Sequence, residues 1–212
     1  VYRNNAAAAS ALSDELARLH VDSLVLRCDV CDFDGLRGFA KQVISHFGKV
    51  DYLVNNVGLD IFKAIDAVSF DEWRISQDVI LNAPFVLTKE ILPLMRERHF
   101  GRIIMLGASS RDYEKGAAGL GPYGVHKAAL KVLMRTLALE EISHGVTVNM
   151  VAPGSTDGAG SLPNDQRIPV TKIPIGRRML LDEIVGAIDY FLSDSAAAVT
   201  GQCLGINGGM ST

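Results

Sequence analysis

Glycine is absent from the first 34 residues of this 212-residue chain, although 20 glycines follow from Gly35 onward. That opening stretch therefore holds no glycine-rich turn of the kind that brings backbone N–H groups against a phosphate. Cysteine is scarce. Cys28, Cys31 and Cys203 are an odd number at no framework spacing, which excludes a disulfide scaffold and fits a reducing compartment. Cys28 and Cys31 form half of a metal knuckle, but no second cysteine pair or nearby histidine completes it, so no metal is expected. Long apolar runs are missing too; the longest are short and broken by glycine, proline or charge, and none would span a membrane. No basic-then-apolar leader opens the sequence, which makes the cytoplasm the expected location. A net charge of -3 gives no reason to expect a nucleic-acid or anionic-membrane partner.

What remains is a chain that is 48% hydrophobic and 21% charged, ample for one substantial core. No linker, repeat or low-complexity tract beyond a short alanine run divides it, so residues 1–212 are expected to form a single domain. Helical spacing of apolar residues marks Ala6 to His20, Phe33 to Phe47, roughly Phe70 to Met95, Tyr123 to Ser143 and Leu181 to Leu192. Short apolar runs of strand type lie at Leu24 to Cys28, Val50 to Val54, Arg102 to Leu106, Val146 to Val151 and Cys203 to Ile206. Pro84 and Pro93 should bend or interrupt the helix from Phe70. Strand and helix alternate, which predicts a doubly wound, mostly parallel α/β sheet with helices on both faces. Residues Thr156 to Pro174 show little periodicity and three prolines, and are expected to form a substrate loop.

The chemistry centres on Tyr123-Gly124-Val125-His126-Lys127. A helix places Tyr123 and Lys127, at i and i+4, on one face. An ammonium beside a phenol favours the phenolate and lowers a pKa that is otherwise about 10. Tyr123 is thus a candidate general acid or base. Together with Asn55-Asn56-Val57-Gly58, Val151-Ala152-Pro153-Gly154, Thr200-Gly201-Gln202 and Gly208-Gly209, this stretch resembles the short-chain dehydrogenase/reductase family over nearly the whole chain.

The resemblance implies a Rossmann-type fold and an NAD(P)-dependent oxidoreductase. It also implies a first strand and a TGxxxGIG turn, about 30 residues, ahead of Val1 and central to the sheet. By resemblance, Tyr123 protonates a carbonyl oxygen as hydride arrives, and Lys127 tunes that phenol and bonds the nicotinamide ribose. A serine completes the family's set. Ser110 stands 13 positions before Tyr123, the commonest family spacing, and is preferred. Gapless extension from the strand at Arg102 instead puts Ala108 there, with Ser109 adjacent. Where the family has an asparagine on its next helix, this chain has Ile80; Asn82, about 200° around a helix, does not replace it.

The cofactor residues implied are Arg3, Asp29, Asn55, Gly58, Pro153, Gly154 and Thr156, with Tyr123 and Lys127. Arg3 falls where an acidic residue would bind the ribose hydroxyl and a basic one suits a 2'-phosphate, so NADP is expected over NAD. Thr156 comes two residues early for the family threonine, whose place Gly158 takes. The implied activity is reduction of a small-molecule carbonyl, a 3-oxoacyl thioester or similar small ketone, by a homotetramer. The alternatives are a pteridine or quinonoid reductase, which the serine argues against, and a non-catalytic binding protein of the same fold. His126 is expected to face solvent or a neighbouring subunit. Phe70 and Trp73 are expected to pack their helix onto the sheet.

Overall fold

A computed structural model describes residues 1–108, 116–157 and 168–210. Two helices precede the sheet: α1 (Ala6–Arg18), capped by the Asn5 side chain, and α2 (Phe33–Phe47), capped by Asp32 and stopped by Gly48. The strands are β1 (Tyr52–Asn55), β2 (Gly101–Leu106), β3 (Val146–Pro153) and β4 (Cys203–Ile206). All pair in parallel, in the order β1-β2-β3-β4, so their carboxyl ends lie along one edge. Every residue of β2, and all of β3 but Pro153, is buried, as expected of parallel strands covered on both faces.

Between β1 and β2 run α3 (Phe70–Gln77), a π-helical turn (Asp78–Asn82) and α4 (Ala83–Glu97). Ser69 and Glu72 form a reciprocal capping box at the start of α3. Pro84 lacks the N–H that would bond the Ile80 carbonyl in a regular helix, and the widened turn occurs there. Pro93 lies inside α4, which continues to Glu97. Helix α5 (Gly121–Glu141) follows β2, and α6 (Leu181–Leu192) follows β3.

One face of the sheet packs Ile103, Met105, Val148 and Met150 against the π turn, α4 and α5. The other packs Ile104, Leu106 and Val151 against Ile184, Ala187 and Phe191 of α6. The doubly wound architecture is therefore present.

Three expectations need correction. Leu24 to Cys28 does not form a strand: a single parallel bridge joins Tyr2 to Arg27, and the run does not enter the four-stranded sheet. Too few paired neighbours flank it to extend a ladder. His126 is 3% exposed, not solvent-facing, because α3 covers that side of α5. Phe70 is 74% exposed, and Trp73 rests its ring on His126 rather than on the sheet.

A candidate active site at the start of the longest helix

The amino end of α5 meets the carboxyl ends of β1, β2 and β3. Its entry is set by Gly121, whose φ is +48° and where a Cβ would lie 2.7 Å from the Lys63 carbonyl oxygen. Only glycine permits both the backbone angle and that approach. Two residues on, Tyr123 presents its ring to Phe62, edge to face, with centroids 4.9 Å apart. One turn further, the Lys127 ammonium lies 5.7 Å from the centre of the Tyr123 ring.

Lys127 is 6% exposed, and its Nζ donates to the Leu106 carbonyl oxygen at 2.6 Å. Burial lowers its pKa from the ordinary lysine value to about 8, while the Asp60 carboxylate acts in the opposite direction. Partial desolvation raises the pKa of Asp60, and Lys127 counters it. The lysine is thus held by a backbone carbonyl on one side and lies beside the Tyr123 ring on the other.

Other expected residues gather around this pair. Asn55 ends β1, buried, with its amide donating to the Met105 thioether at 3.3 Å. Gly58 lies on the loop that leaves β1, where a Cβ would come within 4.0 Å of Lys127 Nζ. Gly154, just past β3, donates its N–H to the Ile206 carbonyl at 2.8 Å, and a Cβ there would collide with Met210 and Asn207. Pro153 pairs in register with Ile206. Thr156 is joined to Met179 by a parallel bridge.

A cavity of about 320 Å³ has Gly58, Val30, Val79, Tyr2 and Arg3 in its wall. A second of about 320 Å³ adjoins it at Arg3 and Cys28 and is lined by Asn4, Arg27 and Asp29. Arg3 lines both cavities, Asp29 the second and Gly58 the first, so the three expected residues border one connected hollow. The Arg27 guanidinium donates to the Arg3 carbonyl at 3.1 Å, so two arginines stand side by side. The Asp29 carboxylate accepts from the Cys31 N–H, closing a local turn. Ser110, Ser109, and most of the loop 156–174 lie outside the described residues.

Sequence reasoning missed several participants. Asp60 and Arg27 were accessible to it: each is a charged residue two positions from an already singled-out one, Gly58 or Asp29. The Leu106 carbonyl carries no side-chain signal and could come only from a structure. Ile80, where the family has asparagine, is fully buried in the core within the π turn. Beside the site, Ser76 Oγ and His126 Nδ1 lie 2.9 Å apart, with the Trp73 ring 4.7 Å from the imidazole. Burial lowers the His126 pKa, which favours the neutral imidazole.

Parallel strands whose carboxyl ends meet a half-buried Tyr123 and a buried Lys127 one helical turn apart put this site where open α/β sheets bind their ligands. The chain belongs to the short-chain dehydrogenase/reductase family, a family of NAD(P)-dependent oxidoreductases. A family model described as enoyl-(acyl carrier protein) reductase matches residues 1–211. The 3-oxoacyl-[acyl-carrier-protein] reductase FabG of Salmonella typhimurium is 35% identical over 188 residues, which span 87% of this chain and 76% of that protein. The protein of that name from Escherichia coli is 34% identical over 205 residues, 95% of this chain and 82% of its own. Among solved structures, a Beutenbergia cavernae protein described as an NAD(P) dependent gluconate 5-dehydrogenase, with NADP bound at low occupancy, superposes with a TM-score of 0.85. It is 30% identical and the match covers 93% of this chain and 80% of that one.

Proposed function

We propose that this protein is an NADP-dependent reductase that converts the carbonyl of a 3-oxoacyl thioester, or of a similar small ketone, to an alcohol. The observation that carries the proposal is the Lys127 ammonium, fixed by the Leu106 carbonyl and one helical turn from the Tyr123 phenol. An ammonium in a site of low polarity stabilises the developing tyrosinate, so Tyr123 gives its proton to the substrate oxygen as the carbonyl carbon is reduced. Ser110 is the residue we assign to hold that oxygen.

The residues present fit a dinucleotide along this hollow. Arg3 and Arg27, side by side in its wall, suit a 2'-phosphate, which supports NADP over NAD. Asp29 and Gly58 also line these cavities, and we assign Asn55, Pro153, Gly154 and Thr156 to the cofactor as well. The nicotinamide supplies hydride when bound. We assign the loop 156–174 to the substrate.

Quaternary structure belongs to the same proposal. Val125, Val132 and Leu139 recur every seven residues on α5 and are exposed, as is Phe85 on α4. Such a stripe is suited to a second copy of the chain, and a tetramer follows if a second face is used as well. Three cysteines at no framework spacing suit the cytoplasm. No described helix is long and apolar enough to cross a membrane.

The test is direct. NADPH binding is followed by fluorescence, and NADPH oxidation is followed with an acetoacetyl thioester and a panel of small ketones. Turnover that disappears in Tyr123→Phe while NADPH binding persists supports the proposal. Binding without turnover on the whole panel would replace it with a non-catalytic role.

A further inference from the structure

Helix α3 and the loop leading into it grip the opening turns of α5 on both sides of Tyr123. Ahead of the tyrosine, a Cβ at Gly121 would lie 2.7 Å from the Lys63 carbonyl oxygen and 3.4 Å from the Val68 side chain. Lys63 is tied to α3 in turn by its ion pair with Glu72. Beyond the tyrosine, the Trp73 ring meets the His126 imidazole, and the Ser76 hydroxyl lies 2.9 Å from its Nδ1. Ser76 is fully buried and His126 is 3% exposed, and neither side chain has another hydrogen bond among the described residues. Of the acids on α3 and the π turn, Glu72 bonds Lys63 and the Ser69 N–H, Asp78 accepts from the Asn82 amide at 2.7 Å, and none bonds His126. The contact is a buried hydrogen bond with no facing carboxylate.

We propose that the Ser76–His126 hydrogen bond is a brace that fixes the rotation of the first turns of α5, which makes His126 a positioning residue for Lys127 and Tyr123. The inference rests on the function proposed above, in which those two groups carry the chemistry. Adjacent residues of a helix point about 100° apart. His126 is bonded to Ser76 on one side of the helix, and Lys127 to the Leu106 carbonyl, at 2.6 Å, on another. Two directional bonds from neighbouring residues can both be made at one rotation of that turn only. Apolar contact does not have this property, because its strength follows area and is indifferent to small rotations. A hydrogen bond weakens steeply as its angle closes, and a buried one left unmade costs the desolvation of both groups. The brace thus transmits the placement of α3 to the turn that presents the phenol and the amine.

The experiment is an NMR titration of the full chain labelled at the lysine ε-carbon, without cofactor or substrate. It compares wild type, Ser76→Ala, and a double variant carrying Ser76→Ala and His126→Phe. The Lys127 signal is assigned by its loss in Lys127→Arg. Ser76→Ala is expected to raise the Lys127 midpoint from about 8 by about half a unit or more, toward the ordinary lysine value, as the loosened turn lets water reach the amine. The double variant replaces the polar pair by apolar groups of matching shape. It should regain the melting temperature that Ser76→Ala loses, yet keep the raised midpoint. In ketone reduction, kcat should fall about tenfold in both variants while KM for NADPH stays within about twofold. A Lys127 midpoint in Ser76→Ala within about half a unit of wild type, or below it, overturns the inference. A double variant that restores the midpoint together with the melting temperature assigns the effect to packing and overturns it too. Should Ser76→Ala not fold, the midpoint of the double variant decides by the same margin. Because the titration needs no turnover, failure of the reductase proposal would show in the ketone panel alone and leave the Lys127 midpoints to decide the role of His126.

Discussion

Helix α1 and the elements from β1 onward obey different rules, whereas α2, also ahead of β1, buries Leu36 and Ala40 and packs on α4. From β1 onward, side chains from both faces of the sheet are enclosed, and Ile80, Met95, Ile103, Met134 and Val148 are fully buried. Helix α1 has the same amphipathic spacing as the later helices, yet none of its residues is buried, and Leu12 and Leu19 are 53% and 66% exposed. Among the described residues, its flanks pair with one another through the bridge between Tyr2 and Arg27. Periodicity makes a helix; it does not supply the surface that the helix covers. The chemistry follows the packing: Tyr123 and Lys127 are built into the enclosed part, whereas Arg3 and Arg27 are exposed on the thinly packed part.

The sharpest way to probe this contrast is to remove the phenol. Tyr123→Phe should lower kcat for ketone reduction by about 10²–10⁴-fold, with an unchanged melting temperature, in steady-state assays paired with thermal unfolding. Next in size is a core truncation: Met134→Ala should cost about 2–5 kcal/mol in denaturant unfolding, since the side chain is fully enclosed. The pH response comes third. Lys127 titrates at about 8, so reduction should decline as pH rises through that value and the ammonium becomes an amine. Below it the lysine stays charged and this loss is absent.

Arg27→Ala should weaken NADPH binding by about tenfold and leave NADH binding nearly unchanged, as read by fluorescence titration. The smallest effect is expected at α1. Leu12→Ala should change stability by no more than about 0.5 kcal/mol, and amide exchange in α1 should be fast beside that of β2 and β3. A Leu12→Ala cost equal to that of Met134→Ala would abolish the distinction between the two regions.

The sheet was legible because buried parallel strands such as Arg102 to Leu106 are nearly continuous apolar runs, and because the helices between them keep a 3.6-residue rhythm. Helix α6 and strand β4 fall where the pattern puts them. Leu24 to Cys28 has the composition of a strand but lacks partners, and pairing is a property of neighbours, not of the run itself. The Tyr123 and Lys127 pair was legible from spacing alone, since i and i+4 must share a face. His126 was not: the side of α5 that α3 covers depends on how the chain turns after Asp78, which no local pattern encodes. Asp60 escaped notice for a similar reason, as its loop is positioned by Gly121 from another part of the chain.

The five-residue turn Asp78–Asn82 has a consequence for how this chain tolerates change. An α-helix advances about 100° per residue, so the one extra residue that a π turn absorbs sets the angular phase between α3 and α4. Shortening the segment there by one position would let it close into ordinary helix, with Ser76 still meeting His126 and Met95 still meeting the sheet. The same deletion between Tyr123 and Lys127 would swing the two side chains onto different sides of their helix. Length variation is thus cushioned on the supporting strut and forbidden on the helix that carries the chemistry.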